Sequence, residues 1–85
     1  MSYSKKEVKL LNKGLAKAKG LNAVIVASEK QGNGHIRVVV RVKGYGDVEV
    51  IGAPSTPNDF NHVANHLRQS VKRAIAAGET RVAYS

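Results

Sequence analysis

His35-Ile36-Arg37-Val38-Val39-Val40-Arg41-Val42 alternates from one end to the other. Ile36, Val38, Val40 and Val42 share one parity, and His35, Arg37, Val39 and Arg41 share the other. Successive side chains of a strand point to opposite faces, so this octet predicts a strand with one buried face and one wet face. A sheet built on it needs cover on its apolar side only.

Both flanks of the octet read as turns. Lys30-Gln31-Gly32-Asn33-Gly34 leads in and Lys43-Gly44-Tyr45-Gly46 leads out, and glycine and asparagine suit the positive φ of tight reversals. Beyond them lie two more apolar runs. Residues 22–28, rich in valine and isoleucine, predict a first strand; residues 47–51 predict a third, with Val48 and Val50 inward. Parity restricts the register. Valine beside valine places Asp47 and Glu49 on the face of Arg37 and Arg41, so an Arg41–Asp47 or Arg41–Glu49 pair is expected and part of that face neutralises itself. The short connections predict an antiparallel meander.

The outermost segments have helical spacing. Ser4-Lys5-Lys6-Glu7 is a capping-box pattern, and a helix is expected from about Lys5 to Lys19, stopped by Gly20. Val8, Leu11, Leu15 and Ala18 fall on one face, while Lys5, Lys9, Lys13 and Lys17, with Lys6 beside them, fall on nearly the opposite one. An interior glycine weakens a helix by about 1 kcal/mol relative to alanine, so Gly14 predicts a close packing contact. After a connector, Gly52-Ala53-Pro54-Ser55, the second helix is expected to take Thr56 as N-cap and Pro57 as its first residue. Phe60, Val63, Ala64, Leu67, Val71, Ala74 and Ile75 form its apolar stripe, Phe60 being read as core. Gly78 ends it. Residues 79–85 read as a tail in which Val82 and Tyr84 could touch a sheet edge.

The expectation is therefore one α+β domain over residues 1–85, with an ordered core from about residue 4 to 78. Its order is α-β-β-β-α: a three-stranded antiparallel meander with both helices packed on one face.

Eighty-five residues allow one modest core. The chain has no cysteine, which excludes disulfides and cysteine-held metal and fits a reducing compartment. No run approaches the ~18 apolar residues of a membrane span, and no apolar signal region follows Met1, so the cytoplasm is the expected location. A formal charge of +8 favours a polyanionic partner through long-range attraction and counterion release. The lysines of the first helix read as a phosphate ladder that carries no sequence information.

His62 and His66 stand at i, i+4, a spacing that can share a metal, but no third ligand is evident, so no metal site and no cofactor are expected. Tyr3, Tyr45 and Tyr84 are scattered and build no stacking platform.

Three segments together resemble the HicA-like toxins (mRNA interferases) and related small phage proteins. They are Gly32-Asn33-Gly34-His35 leading into the second strand, Pro54-Ser55-Thr56-Pro57-Asn58-Asp59 leading into the last helix, and Asn65-His66-Leu67-Arg68 within it. The likeness covers roughly residues 6 to 76. It implies a fold like that of double-stranded-RNA-binding domains, RNA as the preferred nucleic acid, and RNA cleavage with His35 at the catalytic position. An antitoxin is an implied partner. In chemical terms His35 would take the 2′-hydroxyl proton without a metal, while cations stabilise charge on phosphorus. Lys5, Lys6, Lys9, Lys13, Lys17, Lys30, Asn33, Arg37 and Arg41 are the expected nucleic-acid contacts. Two other readings stay open: a non-enzymatic DNA- or RNA-binding module, and a phage factor whose basic face meets a host protein.

Overall fold

The computed structural model describes residues 3–17 and 20–85. Its elements run α1 (Lys5–Leu15), β1 (Ala23–Lys30), β2 (His35–Val42), β3 (Gly46–Pro54), α2 (Phe60–Ala77) and β4 (Arg81–Ala83). The chain is α+β, and the strands form one sheet in the order β1-β2-β3-β4.

The octet that anchors the reading is β2, at the centre of the meander. Ile36, Val38, Val40 and Val42 are buried, His35 and Arg41 are exposed. β1 and β3 flank β2 antiparallel, with Val38 opposite Val50 and Val40 opposite Val48. Both outer strands run longer than expected because each carries an irregularity. In β1 the register shifts between Ile25 and Ala27, leaving Val26 as an extra residue. In β3 the two residues Ile51 and Gly52 answer Arg37 alone. Gly52 takes φ +93° there, a conformation open to glycine that bends a strand without ending its pairing. The segment expected to be a connector therefore continues the ladder, with Ala53 against Ile36 and Pro54 against His35.

The sheet is not a three-stranded meander. Residues 79–85, expected as a tail, supply β4, which lies parallel to β3 with Val50 beside Val82. The reversal that makes this work is local. Gly78 adopts φ +70°, its N–H reaches the Ile75 carbonyl, and the Glu79 N–H reaches that of Ala74. This is a Schellman ending, which turns the chain back along the helix. Val82 and Tyr84 then pack on the core, and β3-α2-β4 becomes a parallel crossover unit, which needs an intervening helix of this kind.

Two helix boundaries also differ from expectation. α1 ends at Leu15, where the Lys17 N–H bonds the Gly14 carbonyl at 3.3 Å, a tightened last turn that brings buried Leu21 back to the core. Ala18 and Lys19 lie outside the described residues. The N-cap of α2 is Asp59 and not Thr56: its carboxylate accepts from the Asn61 and His62 N–H groups. A carboxylate satisfies orphan amides and complements the positive helix end at once. Thr56 and Pro57 belong to the approach segment.

One core holds the layers together. The inward valines of β2 and β3 meet Leu11 and Leu15 from α1 and Val63, Leu67 and Val71 from α2. The helices touch where Gly14 faces Ala64; a Cβ on Gly14 would stand 2.4 Å from that of Ala64. Tyr3 is also core, only 5% exposed. Its N–H donates to Ser28 Oγ and its hydroxyl to the Pro54 carbonyl. Burial, with Tyr84 and Glu7 nearby, pushes its phenol well above the usual tyrosine range.

Candidate nucleic-acid interface

The two faces of the molecule differ sharply in charge. On the outer face of the sheet, register lines up Glu29 with Arg37 on the neighbouring strand, and Glu49 with Arg81. Arg37 Nε donates to Glu49 at 2.6 Å and its Nη1 to Glu29 at 3.0 Å. Arg41 makes a two-point pair with Asp47 at 2.8 and 3.2 Å. The hydrogen bonds hold the Asp47 and Glu49 carboxyls below their ordinary range, and Arg41 and Arg37 above theirs. Three arginines and three acids share this face, so it is neutral and the excess of +8 resides elsewhere.

Arg37 and Arg41, expected to position phosphates, are thus held by acids of their own sheet. The parity argument anticipated an Arg41–Asp47 pair. The Arg37 cluster, with two acids on one guanidinium, was not anticipated. A phosphate would have to displace Glu29 and Glu49 to reach Arg37.

α1 is the opposite case. Lys5, Lys6, Lys9 and Lys13 are exposed along it, and Lys17 is exposed just past its end. Among the described residues the ion pairs are those of Arg37 and Arg41, and none involves these lysines. Glu7, the acid of this helix, is occupied in the capping box: it accepts from the Ser4 N–H at 2.8 Å while Ser4 Oγ accepts from its own N–H at 3.1 Å. Lysines in a first turn oppose the helix dipole by about 0.3 to 1 kcal/mol each, and like charges at i, i+4 cost a few tenths more. Lys5 and Lys6 therefore stand against the stability of the helix start, whereas Lys13, in the last turn, complements the dipole.

Leu10 sits among these lysines, 44% exposed, and with Lys6, Lys9 and Lys13 lines a shallow depression of about 350 Å³. The signal was in the sequence: Leu10 breaks the register of Val8, Leu11 and Leu15. A second cleft of about 330 Å³ opens between α1 and the start of α2, where Lys13 and Lys17 face Asn58, Phe60 and Asn61. Phe60, read as core, is only half-buried; it packs against the core and lines this cleft.

His35 is exposed at the first position of β2. Asn33 Oδ1 accepts its backbone N–H at 3.2 Å, so Asn33 shapes the turn that presents it. Pro54 is its cross-strand partner, and the Tyr3 hydroxyl binds the Pro54 carbonyl. The start of α1, His35 and the approach to α2 therefore meet at one end of the molecule. The imidazole of His35 has no hydrogen bond among the described residues. Lys30 is exposed at the end of β1, on the same hairpin.

His62 and His66 stand with ring centroids 4.3 Å apart, and His66 lies 5.6 Å from Tyr84. No third His, Cys, Asp or Glu joins them among the described residues. No described helix is long and apolar enough to cross a membrane. Comparison with family models, curated proteins and solved structures finds no match for this chain.

Proposed function

We propose that this protein binds RNA through the lysine face of α1 and acts on it at His35, as its resemblance to the HicA-like toxins implies. The observation that carries the binding half is the division of charge. The lysines of α1 have no acidic partner among the described residues, while Arg37 and Arg41 of the sheet are paired with acids. A backbone-tracking polyanion fits a ladder of unpaired lysines, whose ammonium groups are point charges without a preferred plane.

For the chemical half, His35 is exposed and within the same end of the molecule as Lys5 and Lys6, the first residues of α1. Its imidazole would take the 2′-hydroxyl proton as the 2′ oxygen bonds to phosphorus. The bond to the 5′ oxygen then breaks, and that oxygen receives a proton. The products are a 2′,3′-cyclic phosphate and a 5′-hydroxyl, with no metal required.

A second reading, binding without cleavage, is favoured by one observation. No group among the described residues hydrogen-bonds the His35 ring, and general bases are ordinarily oriented by a neighbour.

Two assays separate these readings. If five lysines engage a single strand together, log K against log salt has a slope of about −3.5. Lys9→Glu with Lys13→Glu reduces both the slope and the affinity. Binding indifferent to salt refutes the polyanion reading. His35→Ala is expected to bind RNA normally and to lose cleavage in the presence of a chelator; cleavage that survives in the variant removes His35 from the chemistry.

A further inference from the structure

We infer that the cleft between α1 and the start of α2 is a subsite for a single unstacked nucleobase, so that this basic surface reads sequence as well as charge. The inference rests on the binding half of the proposed function and adds to it a ligand and a specificity.

The cleft is bounded by groups with three different capacities. Phe60 offers an aromatic surface, and its packing on the core holds it in place. A base can stack on such a ring whatever its identity, which supplies affinity without selection. Asn58 and Asn61 both line the cleft, and neither side-chain amide has a hydrogen bond among the described residues. Each amide holds an acceptor and two donors, the set that reads the edge of an unpaired base. Lys13 and Lys17 also line the cleft, and their ammonium groups would hold the phosphate of the same nucleotide.

Asp59 fixes the orientation. Its Oδ1 already accepts from the Asn61 and His62 N–H groups at 2.9 and 3.4 Å, so the amides of the helix end are taken and offer no anion site. Asp59 also lines the cleft, and its carboxylate repels phosphate from its own side. The base therefore enters and the phosphate stays out on the lysines. Asp59 Oδ2, which carries no hydrogen bond among the described residues, is an acceptor left available to that base. It favours an exocyclic amino group, as adenine and cytosine have, over the carbonyl that uracil presents at the same place. A volume of about 330 Å³ is at the small end for ligand pockets and suits one nucleotide unit. A base paired in a duplex cannot enter, so the ligand is single-stranded.

The test uses fluorescein-labelled rA, rC and rU octamers, with affinities read by anisotropy at several salt concentrations. The wild-type protein is expected to bind the adenine and cytosine octamers about tenfold more tightly than the uracil octamer, at one common salt slope. Asp59→Asn, which keeps a capping oxygen at the helix start, is expected to bind all three alike with that slope unchanged. Phe60→Leu, which keeps an apolar residue on the core, is expected to weaken all three by about tenfold, again without altering the slope. Equal wild-type affinity for the three octamers at a normal salt slope overturns the subsite and leaves the charge reading intact. A base preference that survives in Asp59→Asn does the same. Absence of salt-dependent binding to any octamer overturns both.

Discussion

Replacing Gly14 by alanine puts the helix-on-helix contact under direct test. The new methyl would lie 2.4 Å from Ala64 Cβ, whereas apolar carbons rest at about 3.5 to 4.0 Å. The helices must separate by roughly an ångström, and the loss extends to the core residues Leu11, Leu15, Leu67 and Val71, all fully buried. Overpacking of this kind costs about 2 to 3 kcal/mol, and the better helix propensity of alanine returns about 1 kcal/mol. A net destabilisation of about 1 to 2 kcal/mol is expected. Ala64→Gly alone should lose about 2 kcal/mol, from one buried methyl and one interior glycine. In the double variant the methyl has simply changed helices, so stability should return to within about 0.5 kcal/mol of the wild type. The coupling between the two positions is then about 3 kcal/mol, at the upper end for touching residues. Urea unfolding with a constant slope is the assay. If Gly14→Ala is as stable as the wild type, or if the two substitutions simply add, the helices do not cross where the structure places them.

The charge ladder and the buried phenol predict opposite responses to pH. Asp47 and Glu49 are held below their ordinary values of 3.8 and 4.5 by Arg41 and Arg37, so the stability they contribute is present above those values and is lost as pH falls through the lower folded values. The urea midpoint should fall on acidification below about pH 5, and Glu49→Gln should make that fall shallower; an unchanged acid profile would count against the ladder. Tyr3 has its folded value raised, so its contribution is present below the ordinary tyrosine range and declines as pH climbs above about 10. Tyr3→Phe should cost about 1 kcal/mol at neutral pH and flatten the alkaline decline. A variant with wild-type stability at both pH values would mean that the bond to Pro54 contributes nothing.

Where the fold and the candidate site were legible in the sequence, the reason was periodicity. The alternation of residues 35–42 fixed a strand and its inner face, and the inward valines of β3 followed by parity. The lysine ladder of α1 was visible for the same reason: one helical face, one residue type. What escaped reading lacked a repeat. β4 has three residues, too few for a pattern; it is a strand because Gly78 turns the chain and Val82 finds the core. The N-cap of α2 went to Asp59 because several cap-forming residues crowd residues 55–59 and only the packing of Val63, Ala64 and Leu67 selects among them. Phe60 looked like core because aromatic residues at helix starts usually are, and nothing local reveals that α1 leaves a cleft beside it. The pairing of Arg37 with both Glu29 and Glu49 depends on three adjacent strands, which no single segment encodes.

The Ile25 amide points away from β2, and Asn12 Oδ1 takes it at 2.8 Å; one residue later the register slips at Val26. A strand seeking to extend this sheet would find a donor already spoken for and then a kink in its template. A single amide from the basic helix, placed against the rim of the sheet, occupies one of the donors that an added strand would need.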